Sequence, residues 1–230
     1  GMSKILTKLL CKSLAIPSVP FSILHRHDSF DAEGHISYPC FVKPDKGGSS
    51  VGITRVESPA ELKCAIDAAF AYDHRIILED AAEGVELQLG WICEGSDTLF
   101  SSAGSISVHD GFHSYSTKYL NAEGAAVSIP ADIPDTVLST LQAHAHSILR
   151  ALCFPLLGRI DFFYHPREST LYVNEINTIP GMTQTSMFPK LFHHQGISLG
   201  QVISRILSEA SRRYQEDARL TRRHGTFPEL

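Results

Sequence analysis

Residues 171–189 read LYVNEINTIPGMTQTSMFP, and the rest of the chain is organised around this stretch. Its apolar start predicts a strand, and because side chains alternate along a strand, Glu175 and Asn177 leave the same face. A Pro-Gly break and a hydroxyl-rich loop, residues 183–186, follow. Oxygen ligands at a strand end beside backbone amides suit a Mg²⁺–phosphate site, although a strand with one solvent-facing polar side would give the same pattern.

The composition is that of an ordinary globular protein. The chain has 230 residues, of which 43% are hydrophobic and 20% charged, enough for one large domain or two small ones. A net charge of −5 without a basic stripe disfavours a nucleic-acid partner. Five scattered cysteines without a CxxC pair predict reduced thiols in a cytoplasmic protein. No apolar run approaches membrane-spanning length, so no membrane partner is expected.

The first residues predict an amphipathic helix. Gly1 is interpreted as the residue left by an expression tag. Lysines interrupt the apolar run that follows, which disfavours a signal peptide. Their spacing of four residues predicts a lysine face and an opposite apolar face. The two faces comprise Lys4, Lys8 and Lys12 on one side and Ile5, Leu9 and Leu10 on the other.

The remaining pattern mixes hairpins with helices, which argues for an α+β architecture. Helices are predicted over residues 3–14, 60–72, 134–152 and 198–214, the second one capped by Ser58. Strands are predicted over residues 21–25, 40–43, 75–79, 85–93, 98–107, 158–164 and 170–177, the last two forming a hairpin. Residues 109–125 are predicted to be a long polar loop, and residues 215–230 a charged tail that frays.

The glycine-rich segment GGSSVG, residues 47–52, lies between two predicted strands. It is not a P-loop, which requires a GxxxxGK[ST] motif that opens a helix. Its amides and hydroxyls suit a flap that grips phosphate oxygens, and a plain hairpin turn is the alternative. Lys43 on the preceding strand favours the flap, because a strand-borne lysine beside such a loop is aimed at nucleotide phosphates.

Arg159 and Asp161 share one face of the strand that precedes 170–177. One interpretation is a structural salt bridge from Arg159 to Glu175. The other is a joint Mg²⁺ cage formed by Asp161, Glu175 and Asn177, since Mg²⁺ prefers such oxygen donors together with substrate phosphates. Arg159 would then stabilise the charge that develops on a transferred or tetrahedral group.

The ordered segments VKPDKGGSSVG, ILEDAAEGVE, STKY, GRIDFF and VNEINTIPGMTQTSMFP together resemble the D-alanine–D-alanine ligase family of the ATP-grasp superfamily. The resemblance runs from about residue 2 to residue 211 and covers the ATP-grasp portion only, without the family's N-terminal domain. It implies an α+β ATP-grasp fold in which two subdomains, 2–85 and 86–214, grip the nucleotide between them.

That resemblance also implies an activity and its cofactors. The chain would be an ATP-dependent carboxylate–amine ligase that joins small-molecule substrates through an acyl phosphate. ATP and Mg²⁺ are the implied cofactors, with two metal ions, and Mn²⁺ is an alternative metal. Closure of the loop 109–125 would shield the acyl phosphate from water.

Individual residues acquire roles by the same resemblance. The implied contacts to ATP are Lys4, Lys43, Ser49 and Ser50 at the phosphates, Glu79 and Ala82 at the adenine, Glu86 at the ribose, and Lys118 on the mobile loop that closes over the active site. The implied metal ligands are Asp161, Glu175 and Asn177. The implied catalytic residues are Arg159, Ser49, Lys118 and Tyr119. Gly181 is an implied donor near the tetrahedral intermediate, and Ser186 with Met187 would hold the carboxylate of the second substrate.

Some positions depart from the family pattern. Asp80 replaces a usual lysine, Ser116 stands where an acidic residue is frequent, and the domain that holds the first D-alanine has no counterpart here. Three hypotheses follow: a ligase whose first substrate is not D-alanine, a ligase completed by a homodimer or a partner chain, and a nucleotide-binding relative without turnover.

Overall fold

Two antiparallel sheets organise this protein. The structure is a computed structural model that describes residues 3–28, 37–82, 84–108 and 125–220. Its helices are α1 (Lys4–Ser13), α2 (Pro59–Ala69), α3 (Asp135–Ala151), α4 (Met187–His193) and α5 (Leu199–Ala218). Its strands are β1 (Phe21–His25), β2 (Cys40–Pro44), β3 (Thr54–Val56), β4 (Arg75–Asp80), β5 (Val85–Glu94), β6 (Asp97–Val108), β7 (Ala125–Ser128), β8 (Leu157–His165) and β9 (Thr170–Asn177). The predicted α+β architecture is confirmed.

The first sheet has four strands in the order β1-β4-β2-β3 and is covered by α2. Its core is built by alternate apolar side chains of the strands together with Leu62, Ala65 and Ala69 of the helix. The loop that connects β2 to β3 contains the glycine-rich segment 47–52, so this sheet carries the predicted flap at one end.

The second sheet has five strands in the order β7-β6-β5-β8-β9. One face is apolar and packs against α3 and the end of α1 around the buried Trp91. Both predicted hairpins are present, since β5 pairs with β6 and β8 pairs with β9. Gly158 is required here, because a Cβ atom would lie 2.0 Å from the Trp91 ring and 2.7 Å from the carbonyl oxygen of Asn177.

The opposite face of the second sheet is divided in two. At one end, α4 and α5 cover Ile92 with a small apolar cluster that includes Phe188, Phe192 and Val202. A Cβ atom at Gly90 would already touch both phenylalanine rings, so the helix lies directly on the strand. The other end of this face is polar and carries five of the predicted site residues: Glu86, Arg159, Asp161, Glu175 and Asn177.

The structure corrects the prediction for α1. The N-cap is as expected, because the Ser3 hydroxyl accepts a hydrogen bond from the Leu6 amide. However, Lys4 and Lys8 are buried, whereas Leu9 is 44% exposed on the other side of the helix. Lys4 and Lys8 point into the protein because Lys8 pairs with the buried carboxylate of Glu79 and Lys4 donates to the carbonyl oxygen of Gly47, whereas Lys12 is exposed. The periodicity of α1 alone does not reveal these partners.

Other predicted boundaries also change. Helix α2 ends at Ala69 rather than Tyr72, and the Ser58 side chain makes no capping bond to the helix backbone. Helix α4 and strand β7 were not predicted. Helix α5 begins at the capping box of Ser198 and continues to Ala218, so the first residues of the predicted frayed tail are helical. Residues 221–230 lie outside the described residues.

All five cysteines are unpaired, as predicted. Across the described ranges, no helix is both long and apolar enough to cross a membrane.

Candidate functional site

The polar half of the second sheet brings three strands together. In the register of the strands, Asp161 lies opposite Glu175 on β9 and opposite Gln88 on β5, while Arg159 lies opposite Asn177. Because residues two apart share a face, Arg159 and Asp161 project on the same side as these partners. The sequence-predicted hairpin therefore places the predicted metal ligands beside one another.

The cluster is held by direct hydrogen bonds. The Arg159 guanidinium donates to both oxygens of Asp161, at 2.6 and 2.7 Å. Nδ2 of Asn177 donates to Asp161 at 3.1 Å and to Glu175 at 3.3 Å. Burial alone would lower the pKa of Arg159, but the carboxylate of Asp161 outweighs it and raises that pKa well above its usual range. The salt bridge of Arg159 is thus formed with Asp161 rather than with Glu175.

These donors have the chemistry that a magnesium ion needs. Two carboxylates and one amide oxygen are hard ligands, and substrate phosphates and water complete the usual Mg²⁺ shell. Arg159 and Asn177 together donate one hydrogen bond to Oδ1 of Asp161 and two to Oδ2, which leaves a lone pair on Oδ1, because an ionised carboxylate has about four acceptor sites. Among the described residues, no cluster of three or more His, Cys, Asp or Glu is placed to bind a metal.

Lys4 reaches this region from the first helix. Its ammonium group donates to the carbonyl oxygen of Gly47, in the flap, at 3.0 Å. Burial lowers the pKa of Lys4, and the negative charge of Glu175 is the largest influence that opposes this shift. Lys4 therefore lies between the glycine-rich flap of one sheet and the carboxylates of the other.

Asp45 fixes the base of the flap relative to α1. Its buried carboxylate accepts hydrogen bonds from the Ser3 hydroxyl at 2.6 Å, from the Ile5 amide at 3.0 Å and from the Arg75 guanidinium at 2.7 Å. The Lys4 amide also donates to the Asp45 carbonyl at 3.0 Å. Sequence reasoning missed Asp45, although its place directly after VKP, at the entry to the flap, was a usable signal.

Glu79 lies in a buried ion-pair triad. One of its carboxylate oxygens is 3.1 Å from the ammonium of Lys8, and the other is paired with the ammonium of Lys43. Lys8 also donates to the carbonyl oxygen of Val173 at 3.3 Å, so it connects the two sheets. Burial opposes ionisation of Glu79, but the two lysines outweigh it and lower its pKa to about 2.

The triad affects two predicted contacts to ATP. Glu79, assigned to the adenine amine, is 2% exposed and already accepts from two lysines. Lys43, assigned to the phosphates, is held by Glu79. Any nucleotide contact made by these side chains must therefore be shared with this ion pair. Lys8 was missed as part of the site because its spacing from Lys4 was interpreted only as an amphipathic face.

The flap has an unusual backbone. Ser49 and Ser50 have φ angles of 55° and 58°, the left-handed region that is unfavourable for residues with a Cβ atom. At Gly52, with φ of 72°, a Cβ atom would lie 2.6 Å from the Tyr72 ring and 2.9 Å from Pro44. Such strained positions concentrate at ligand clamps and active sites.

The loop after β9 folds onto its own last residue. Ser186 accepts a hydrogen bond from the Thr183 amide at 3.3 Å and is 2.7 Å from the Thr183 hydroxyl. Ser186 is also the N-cap position of α4, and its side chain makes no capping bond to that helix. A Cβ atom at Gly181 would lie 2.6 Å from the Ser186 hydroxyl oxygen, so a larger residue there would require this hydroxyl to turn away. The three predicted substrate residues, Gly181, Ser186 and Met187, are consequently adjacent.

The remaining predicted residues are placed as follows. Ala82 follows the end of β4 and is half-buried. Glu86 is buried on β5, where it accepts a hydrogen bond from Gln88. Lys118, Tyr119 and Ser116, together with the predicted loop 109–125 apart from its last residue, lie outside the described residues.

Comparisons with known proteins agree with this geometry. The family described as the D-ala D-ala ligase C-terminus matches residues 10–208. The D-alanine–D-alanine ligase A of Chromobacterium violaceum is 35% identical over 226 residues, which cover 96% of this chain and 61% of the relative. The D-alanine–D-alanine ligase of Deinococcus radiodurans is 38% identical and covers 91% of this chain and 64% of the relative. The chain thus spans about three fifths of the length of these relatives.

Solved structures give the same result. The D-alanine–D-alanine ligase of Coxiella burnetii has a TM-score of 0.81 at 28% identity, covering 96% of this chain and 60% of that one. The VanG D-Ala:D-Ser ligase of Enterococcus faecalis has a TM-score of 0.76 at 28% identity, covering 90% and 61%. These likenesses confirm the predicted ATP-grasp fold class and the prediction that only part of the relatives' length is matched.

Proposed function

Because the chain belongs to the D-Ala–D-Ala ligase C-terminal family, we propose that it is an ATP-dependent carboxylate–amine ligase. The observation that carries this proposal is the hydrogen-bonded cluster of Asp161, Glu175 and Asn177 with Arg159, next to Lys4 and the flap. A cluster that combines oxygen ligands, buried cations and a strained phosphate-binding loop suits phosphoryl transfer. We place the nucleotide between two subdomains, 2–85 and 86–214.

The residues of the first sheet would hold the triphosphate. Lys4 and Lys43 would supply buried positive charge beside the flap, and Ser49 and Ser50 within the flap would supply hydroxyls and amides. Glu86 would bind the ribose, and Glu79 with the backbone near Ala82 would bind the adenine. Buried cations interact strongly with phosphate, since the low local dielectric weakens screening.

Asp161, Glu175 and Asn177 would hold Mg²⁺, with two ions as the expected number and Mn²⁺ as an alternative. When bound, the metal would neutralise phosphate charge and orient the transferred group. Arg159 is anchored by Asp161 with its side chain 18% exposed, so it can donate to an oxyanion without reorganising. Lys118 and Tyr119 are proposed to act from the closing loop.

The second substrate would be bound on the side of α4. Gly181 would donate its amide near the reacting carbon, and Ser186 with Met187 would hold the carboxylate of the amine substrate. A carboxylate oxygen of the first substrate takes the γ-phosphoryl group of ATP, the amine then attacks the carbonyl carbon, and phosphate leaves with that oxygen. The products are an amide, ADP and phosphate.

The relatives named above are D-alanine–D-alanine ligases and a D-Ala:D-Ser ligase, and D-alanine is one candidate substrate for this chain. A first substrate other than D-alanine, or a homodimer or partner chain that completes the substrate site, is the alternative arrangement for the part of the relatives that this chain does not span. The proposed location is the cytoplasm, with neither nucleic acid nor membrane as a partner.

Phosphate release tests the proposal. Purified protein with ATP and Mg²⁺ is assayed with pairs of amino acids, D-alanine included, and with each amino acid alone. We expect phosphate and ADP to appear in equal amounts only with an accepted pair, and an amide of the expected mass to accumulate. ATP binding without phosphate release across the panel would favour the second candidate, a nucleotide-binding relative without turnover.

A further inference from the structure

Gln88 is a buried amide at the centre of the polar face. It is 3% exposed, lies on β5 two residues after Glu86, and faces Asp161 on β8. Its Nε2 atom donates to a carboxylate oxygen of Glu86 at 2.8 Å. The amide therefore lies between the proposed ribose ligand and a proposed metal ligand, and it is bonded to the first of them.

The carbonyl oxygen of the same amide has no hydrogen-bond partner among the described residues. Oε1 of Gln88 is buried and makes no hydrogen bond to any residue in the part of the chain that the structure describes. An unpaired buried carbonyl is unfavourable for stability, and an apolar side chain of the same shape would avoid that loss. A purely structural role would thus be served better by methionine, which indicates that the bond from Nε2 to Glu86 is the reason for an amide here.

The surroundings keep this bond away from water. On the strand at the other side, β6, Gly104 lies opposite Gln88. A Cβ atom at Gly104 would lie 2.6 Å from Leu191 and 2.8 Å from Met187, so α4 covers this part of the sheet closely. Gln88 marks the position at which the apolar cover ends and the polar site begins. A hydrogen bond to a carboxylate in such surroundings is charge-assisted and competes little with solvent.

We propose that Gln88 is a positioning residue that fixes the carboxylate of Glu86 for the ribose hydroxyls of the nucleotide and so sets the preference for a ribonucleotide. The inference rests on the proposed function, because it takes the nucleotide to bind at Glu86. A carboxylate held in one orientation accepts the vicinal hydroxyls without losing side-chain entropy on binding.

Calorimetric titration with two nucleotides tests this role. ATP and 2′,3′-dideoxy-ATP, which lacks both ribose hydroxyls, are titrated in Mg²⁺ into the wild-type protein and the Gln88→Met variant. We expect the wild type to bind ATP about ten-fold or more tightly than the dideoxy nucleotide. In Gln88→Met the two affinities should become nearly equal, through loss of ATP affinity alone, while the melting temperature stays the same or rises.

Three further variants control the experiment. Gln88→Asn keeps the amide but shortens the side chain, so the amide no longer reaches Glu86, and the preference for ATP should be lost as in Gln88→Met. This variant replaces Gln88→Met if the methionine variant does not fold. Glu86→Gln should remove the preference by itself, and adding Gln88→Met to it should change nothing more. Gln215→Leu, on the exposed face of α5, should bind both nucleotides like the wild type.

The results distinguish a failure of the proposed function from a failure of the role proposed for Gln88. If the wild type binds no ATP, both the proposed function and this inference are contradicted. If ATP binds, and Glu86→Gln removes the preference while Gln88→Met and Gln88→Asn keep it, the role of Gln88 is overturned and the proposed function stands. Equal binding of both nucleotides by the wild type also overturns the role of Gln88.

Discussion

The Glu175→Gln variant is expected to lose at least about 100-fold in turnover while it keeps its fold. Replacing a residue that only hydrogen-bonds to a metal ligand already lowers metal affinity or activity about 10–100-fold. Because Glu175 is a proposed direct ligand, its replacement should have a larger effect. The substitution removes one negative charge from a cluster in which Asn177 bonds both carboxylates. The measurement is the rate of phosphate release as a function of Mg²⁺ concentration, which should show a higher requirement for the ion.

The matched control for that variant is Glu168→Gln. Glu168 lies in the turn of the same hairpin, and its side chain is 65% exposed at 4.0 Å from His165. The same chemical change at this position should leave turnover and the Mg²⁺ requirement unaltered. Unchanged turnover in Glu175→Gln would remove Glu175 from the proposed metal site.

The Glu79→Gln variant is expected to be the most destabilised of the single substitutions considered. Lys8 is fully buried at 3.1 Å from Glu79, and the change would leave this cation without its counter-charge. Removing one partner of a buried ion pair costs about 3–5 kcal/mol, and we expect about 3 kcal/mol because the new amide still accepts a hydrogen bond. Urea unfolding at neutral pH measures the change in the free energy of unfolding.

The pH dependence of the same variant gives a second readout. The folded state lowers the pKa of Glu79 to about 2, from an ordinary value of 4.5. The ionised carboxylate therefore stabilises the fold fully above pH 4.5, and this stabilisation is lost as the pH falls from 4.5 towards 2. Wild-type stability should fall across this window more steeply than that of Glu79→Gln.

The control for this comparison is Glu216→Gln on α5. Glu216 is 57% exposed and pairs with Arg212, and exposed ion pairs contribute about 0–1 kcal/mol. Its unfolding curve should resemble that of the wild type at neutral pH. If the free energy of unfolding decreases no more in Glu79→Gln than in this control, the triad with Lys8 does not stabilise the fold.

The parts of the site that follow from strand periodicity could be predicted from the sequence. Asp161 and Glu175 lie on adjacent strands of one short hairpin, so alternation along each strand is enough to bring them together. The flap was predicted for a similar reason, because the glycines and serines directly follow the strand that carries Lys43. In these cases, the neighbours in space are close to each other along the chain.

The parts that depend on distant partners could not be predicted. The burial of Lys8 depends on Glu79 and on the carbonyl of Val173, which belong to different sheets. Helix α4 was missed because it is short, follows a hydroxyl-rich loop and contains Pro189. That proline lies in the first turn, where its missing N–H group has no helical partner to lose.

The edge strand β7 was missed for a related reason. It has four residues, follows the segment predicted as a long polar loop and, among the described strands, pairs only with β6, so its sequence pattern is too short to show a period. The role of Gln88 depends on its register with Glu86 and Asp161 rather than on any motif.

Oxygen transfer from the substrate tests the central claim most directly. A carboxylate substrate labelled with ¹⁸O is turned over with ATP, Mg²⁺ and its amine partner, and the released phosphate is analysed by mass spectrometry. Ligation through an acyl phosphate predicts one ¹⁸O atom in each phosphate from fully labelled substrate, because that oxygen leaves with the phosphoryl group. Phosphate that carries oxygen from water instead would show that ATP is merely hydrolysed, and would contradict the account.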